Sequence, residues 1–434
     1  MPNSLPHVDH RSAASPGDSA CWWVLAYVAL LPLPGPAEVV LGCGALFAIV
    51  RLLQLRARGA IAPLLTPEAW GLSCLLFLAY WLPQAVAALD AADPGRAWSK
   101  AASALRYLPF MWLVAMSVAT ATRRWRLFSG LAVIALVWTL DALLEPLLGA
   151  SPLYRLLDAG KQAISGQSFC EAVDWQVTGR YNGVFSKCNP KLGQILAVLA
   201  PFALLLAGRR RWPWLATAVL VGLAVLLAGS RAAWISYALV VLLTGWSVIG
   251  RRGVVALVLA GVVVLGASTA LLPGMGERVQ RSAALFNGQP DGVETALSGR
   301  LRIWSGAACM FAEHPINGVG VRGFREAWPS CDPRPDVAPA WGEGPALHAH
   351  QLVLEILSET GLIGLLLWLA GAALAIRAWR YADSVARQRA LPAAVAAGVA
   401  VFPFNTHLAV YSAFWGGITL MLVALFVGAL LARD

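Results

Sequence analysis

Apolar runs close to twenty residues long recur along almost the whole chain, and that recurrence decides what it can fold into. A helix needs about 20 such residues to cross the roughly 30 Å hydrocarbon layer of a bilayer. The runs fall at about 21–34, 36–52, 68–88, 104–120, 127–148, 189–208, 212–229, 231–249, 253–273, 349–374, 390–409 and 411–431. Only 13% of the residues are charged, where soluble domains carry about 25%. The short alternating segments of a transmembrane β-barrel are missing. The predicted fold class is an all-α polytopic membrane protein with about twelve transmembrane helices and a large periplasmic loop between helices 9 and 10. The first two runs are short and broken by Pro32, Pro34 and Pro36, so a re-entrant pair is the alternative there. Residues 1–20 hold Asp9, Asp18 and prolines in place of a basic segment and apolar core, which argues against a cleavable signal.

Orientation follows from the short loops. Arg51, Arg56 and Arg58 follow the second run, Arg123, Arg124 and Arg126 the fourth, and Arg209, Arg210 and Arg211 the sixth. Arg251 and Arg252 follow the eighth, and Arg377, Arg380, Arg387 and Arg389 the tenth. Every even-numbered exit is basic, so the positive-inside rule puts both termini in the cytoplasm of a cell inner membrane. The segments so assigned to the cytoplasm carry a net charge of +13 and all other residues −3, which together make the chain's +10. The positive charge thus reports topology, and no nucleic-acid partner is expected. The organisation predicted is a cytoplasmic segment at 1–20 and helices 1–9 over 21–273, with an outer loop at 149–188. A periplasmic subdomain at 274–348 and helices 10–12 over 349–434 follow. No internal repeat is visible, which counts against an inverted-repeat transporter.

Charged residues at membrane ends need a reason. The apolar stretch 212–249 is too long for one crossing, and Gly229-Ser230-Arg231 is where it can turn. Arg231 then lies in a tight outer turn, either snorkelling to the interface or binding an anion. In the large loop, Ser298 reads as an N-cap, with a helix running to Glu313 before Pro315. Arg300 and Arg302 fall in its first turn, where cations oppose the helix dipole unless an anion sits there too. Solvated loop arginines are the alternative. His348, His350 and Gln351 begin the tenth run, and Glu355, Ser358 and Glu359 follow at helical spacing. A histidine there is placed to act as an outward-facing base or to be a satisfied interfacial residue. Two histidines two residues apart, with no third ligand, do not make a metal site. His7, His10 and His314 offer little, and His407, beside Asn405 and Thr406, reaches toward the same outer cavity. Asp90 and Asp93 read as a solvated turn. Cys170 and Cys188 share one outer loop and Cys309 and Cys331 the other, so a disulfide can form in each, although free buried cysteine is the commoner state.

Together these segments resemble the O-antigen ligase/polymerase superfamily of membrane glycosyltransferases, over about residues 180–375. The stretch from Ser298 to Trp304 is similar to its arginine-then-tryptophan motif, and His314 to Gly320 with Phe324 to its glycine turn. His350 to Gly361 resembles its histidine-led helix start, with Gln351 where Asn is usual. Gly229-Ser230-Arg231 is similar to its outer arginine. Gly179 to Phe185 with Asn189-Pro190 is similar to its outer-loop signature. Pro190 is followed by Lys191-Leu192-Gly193, where the family more often has a second Asn, and the role of Asn189 stays open. The resemblance implies transfer of a glycan from an undecaprenyl-pyrophosphate-linked O-antigen donor to a hydroxyl of lipid A-core in the periplasm. Fixed arginines suit a departing pyrophosphate, and a sugar hydroxyl needs a base such as histidine. The expected assignment is His350 as base and Arg231 and Arg300 as diphosphate ligands. Arg180, Arg302, His348, Gln351 and Glu355 are in support. No metal, nucleotide or other cofactor is expected, and membrane lipids are the surrounding partner.

Three rival readings remain at this stage: an O-antigen polymerase, a protein O-oligosaccharyltransferase, and a transporter of lipid-linked glycan. A transporter expects ionisable residues deep within spans, and Asp141 and Glu145 are the exception to their placement at outer ends. The orientation is testable directly. A single cysteine placed at 290 or 335 should be labelled by an impermeant reagent in spheroplasts, and one at 383 only after permeabilisation. The reverse pattern would reject the orientation.

Overall fold

The computed structural model describes residues 16–59, 64–170, 180–186, 188–208, 210–271, 276, 280, 283–284, 292–339, 341–342, 344–403 and 409–434. The calls on His7, His10, Gly179, Arg209, Asn405, Thr406 and His407 lie outside the described residues. Among the described residues all regular structure is helical. The N-terminal part holds α1 (Pro16–Ala29), α2 (Pro34–Ala57), α3 (Pro67–Ala87), α4 (Pro94–Ala104), α5 (Tyr107–Met116), α6 (Ala121–Leu148) and α7 (Pro152–Ser165). The middle holds α8 (Leu192–Leu206), α9 (Arg211–Leu227), α10 (Arg231–Leu271), α11 (Gly292–Leu297), α12 (Arg300–Glu313) and α13 (Phe324–Cys331). Then come α14 (Leu352–Tyr381), α15 (Ser384–Ala400) and α16 (Ala413–Leu430).

Among the described residues, six helical stretches are long and apolar enough to cross a membrane: Pro34–Ala57, Pro67–Asp90, Ala121–Leu148, Arg231–Thr269, Leu352–Tyr381 and Ala413–Leu430. Shorter apolar helices accompany them, including Leu192–Leu206 and Arg211–Leu227. Among the described residues the expected runs are largely helical, but three are built differently from the expectation. The run at 104–120 holds only the last residue of α4 and the ten residues of α5, which is too short to cross alone. The runs at 231–249 and 253–273 form one long α10 broken at Gly250, whose φ of 69° and ψ of 172° are not helical. Local chemistry sets many ends. Pro34, Pro67, Pro94 and Pro152 occupy first turns, where a missing N–H costs nothing. Thr66, Asp93, Ser151 and Ser412 accept capping hydrogen bonds.

The core centres on α8, buried from Leu192 through Leu204 and packed by α6, α9, α10 and α15. Apolar side chains that face outward, such as Leu46 and Leu53 on α2 and Val262 and Val263 on α10, suit a hydrocarbon solvent. A smaller second core joins Ile303, Ala307 and Met310 of α12, Phe324 and Trp328 of α13, and Ala349.

The feature that positions the site is the break in α14. At Gly361 (φ 64°, ψ −161°) the helix opens, and the carbonyls of Ser358 and Glu359 lose the N–H groups of Leu362 and Ile363. The turn at 315–320 replaces both pairs. Val319 N donates to Ser358 O at 2.8 Å and Gly320 N to Glu359 O at 3.1 Å. Leu362 N donates to Pro315 O at 2.9 Å and Ile363 N to Ile316 O at 3.1 Å. All four groups stay satisfied, as a low-dielectric setting demands. The approach is so close that a Cβ on Gly361 would lie 2.3 Å from the Ile316 carbonyl carbon, and one on Gly318 (φ +68°) 2.4 Å from that of Glu359.

Gly318→Ala or Gly361→Ala should therefore cost at least about 2 kcal/mol, from the left-handed backbone and the clash together. Gly71→Ala, at an open position, should melt like the parent. Thermal unfolding of the detergent-solubilised protein checks this. Parent-like melting of both Gly318→Ala and Gly361→Ala would mean that the stitched break is absent.

Candidate functional site

Arg231 is the first residue of α10, and its side chain reaches across to the α11–α12 turn. One guanidinium nitrogen donates to the Ala296 carbonyl and the other to Ser298 Oγ at 2.9 Å. Ser298 is thus held by Arg231 and does not cap α12, whose N-cap is Gly299 in the left-handed region (φ 81°). The contact brings Arg231 beside Arg300, the first residue of α12. Arg180 approaches from the outer loop, where Tyr181 N donates to Leu227 O at 3.2 Å. Part-burial and the neighbouring Arg231 and Arg180 charges pull the Arg300 guanidinium down to about 10. It remains a cation at neutral pH. Among the described residues it has neither a hydrogen bond nor an ion pair. Three guanidiniums therefore converge with no carboxylate lowering the energy of the Arg300 charge.

Arg302, two residues further along, turns elsewhere because two helical residues differ by about 200°. Its Nε and Nη2 donate to the two Asp332 oxygens, both at 2.7 Å, and Nη1 donates to Val337 O at 2.8 Å. Both side chains are buried, at 4% and 9% exposure. The same guanidinium holds the Asp332 carboxyl below the usual carboxylate range. Arg302 is a structural tie between α12 and the chain after α13, and it stands apart from the three converging arginines. The Cys309–Cys331 disulfide joins α12 to α13, and Cys170–Cys188 closes the first outer loop. Cys309, Glu313 and Cys331 lie within metal-ligand distance of one another, but the two sulfurs are joined in the disulfide and are not thiolates.

The histidines differ from the sequence reading in one respect. Helix α14 starts at Leu352, capped by Gln351, whose Oε1 accepts from Leu354 N at 2.6 Å. His348 and His350 therefore precede the helix, and helical spacing does not separate them. His350 takes a left-handed backbone (φ 53°), and the two rings stack at 3.8 Å between centroids with a 42° tilt. Ala349 between them is fully buried in the core that contains Ile303, one turn after Arg300. The loop that carries the imidazole pair thus packs into the same small core as α12. Gln351 Nε2 also donates to Pro403 O at 3.1 Å.

Glu355 is fully buried and accepts from Tyr411 N at 3.4 Å, which ties α14 to the start of α16. Glu359, which sequence reasoning left without a role, accepts from Arg322 N at 3.0 Å and clamps the glycine turn. Asp141 accepts from Ser151 Oγ at 2.7 Å and Leu153 N at 2.9 Å, and Glu145 accepts from Gly183 N at 2.7 Å. These two carboxylates anchor the outer loop that carries Arg180. His314 ends α12, and Asp93 caps α4 by accepting from Arg96 N at 3.0 Å.

Fold and site together define an all-helical membrane protein that carries a cluster of arginines and a pair of histidines in contact with each other. Residues 216–369, which include Arg231, Arg300, both histidines and Glu355, match the family model described as O-antigen ligase. The resemblance read from the sequence thus holds for the O-antigen ligase family, a family of glycosyltransferase-like ligases. No curated protein matches the chain.

Removing one partner of a buried ion pair leaves a stranded charge, worth about 3–5 kcal/mol. Arg302→Ala should lower thermal stability on that scale. Asp332 has a depressed folded-state pKa, so the pair stabilises above the ordinary carboxylate range and is lost as pH falls through the depressed value. Melting curves of parent and Arg302→Ala should therefore converge in strong acid. Equal stability of the two at neutral pH would remove Arg302 from the structural role.

Proposed function

We propose that the protein moves a glycan from undecaprenyl diphosphate to a hydroxyl of lipid A-core on the periplasmic face of the inner membrane. The observation that carries this reading is Arg300, a half-buried guanidinium with no hydrogen-bond or ion-pair partner among the described residues, beside Arg231 and Arg180. An uncompensated guanidinium such as that of Arg300 favours an anion able to accept from several donors, and a diphosphate has that chemistry. The acceptor oxygen attacks the anomeric carbon, and the bond to the diphosphate oxygen breaks with its electron pair. The arginines stabilise the charge on the departing diphosphate. His350 takes the proton of the attacking hydroxyl, a role suited to imidazole near neutral pH.

The proposed topology has about twelve crossings and cytoplasmic termini. The basic even-numbered exits support it, and so does the distribution of cysteines. The two disulfides fall in the segments assigned to the outside, while Cys21, Cys43 and Cys74 form no disulfide. Disulfides form in oxidising compartments such as the periplasm.

Reconstituted protein given lipid-linked glycan and lipid A-core should transfer the glycan in excess EDTA and without nucleotide. Arg231→Ala and Arg300→Ala should nearly abolish transfer, with Lys restoring only part because it loses the planar fork. His350→Ala should lose about 10²–10⁴-fold, while donor binding persists. His348→Ala should lose less. Full activity of Arg300→Ala and His350→Ala would end this reading, and exclusive transfer to a second lipid-linked glycan would make the protein a polymerase.

A further inference from the structure

The central helix α8 starts at Leu192, and its first turn presses on the α9–α10 turn. A Cβ on Gly193 would lie 3.0 Å from Ala228 Cβ and 3.1 Å from Ala233 Cβ, the residues that bracket Arg231. Lys191 immediately precedes this helix, half-buried, with its ammonium 4.3 Å from the centroid of the Phe414 ring. Phe414 opens α16, three residues after Tyr411, whose N–H is held by Glu355. The start of α8 thus packs on the arginine turn, and Lys191 beside it meets the helix that follows the Tyr411 segment held by Glu355 of α14.

Among the described residues the Lys191 ammonium closes no ion pair and no hydrogen bond. A desolvated ammonium with only an aromatic face for company is costly unless an anion comes to it. Lys191 also lies where the chain departs from the family resemblance, which leads one to expect an amide after Pro190. This cation is thus a property of this chain.

We propose that Lys191 is a fourth cation of the donor site and contacts the diphosphate on its histidine side. The proposal rests on the diphosphate reading above. A glycan-bearing diphosphate is a diester with two negative charges, and breaking the sugar–oxygen bond adds a third. A compact ammonium with three rotatable donors suits the oxygen on which that charge appears. Lys191 should therefore matter more for the released diphosphate than for a monophosphate.

The test measures binding of undecaprenyl diphosphate and undecaprenyl phosphate to the purified full-length protein in nanodiscs. Lys191→Gln should weaken diphosphate binding about tenfold, as loss of a charged hydrogen bond would, and monophosphate binding less than threefold. Lys191→Arg should restore most of the loss. If Lys191→Gln does not fold, Lys191→Met, which keeps an apolar stem over Phe414, replaces it. Unchanged binding by the neutral variant, with Arg300→Ala still impaired, would overturn the role of Lys191 and leave the diphosphate reading standing. A parent protein that binds no diphosphate would overturn both.

Discussion

The break of α14 at Gly361 is the constraint on which the rest of the site depends. A helix opened near a membrane exposes two carbonyls and two N–H groups that lipid cannot satisfy. Here the turn at 315–320 takes all four. The exchange fixes the glycine turn against the helix, and Glu359 then holds Arg322 on the same turn. Upstream of the break, the short first part of α14 is aimed by Glu355 and Gln351 at the chain before α16. The histidines ride on that aimed segment. A regular helix through Gly361 would pair those four groups within itself and leave the turn at 315–320 without them.

The helix α12 in turn separates two kinds of arginine. Arg302 is neutralised by Asp332 and ties the chain after α13 to α12. Arg300 faces the other way and keeps an unbalanced charge beside Arg231 and Arg180. Buried ion pairs organise structure, whereas uncompensated cations store an unfavourable energy that only an anion relieves. Asp141 and Glu145 take part from the membrane side by fixing the outer loop through backbone and hydroxyl donors. Their oxygens accept hydrogen bonds that hold the loop, a structural role for the two ionisable residues that sit deepest in a span.

Much of this was legible beforehand. The apolar runs, the turn at Arg231 and the end of a helix at His314 follow from local hydropathy and turn chemistry. The two cysteine pairs were visible as loop-mates, but their bonding was not, since loop membership does not fix a distance. The apolar pattern puts His348 and His350 at the start of the tenth run, but the helix starts at Leu352, after both, because Gln351 caps it. Arg302 looked equivalent to Arg300 because Asp332, the residue that separates their roles, lies thirty positions away.

By itself the sequence determined that this chain is a helical membrane protein, which ends of its helices are basic, and which residue types carry its family resemblance. These are sums of single-residue transfer and charge terms, and such sums survive without knowledge of contacts. Only the tertiary structure decided where α14 breaks, which arginine keeps its charge unbalanced, and that the two imidazoles touch. Each of those depends on groups far apart in the chain arriving within a few ångströms, where hydrogen bonding and low local dielectric take over from composition.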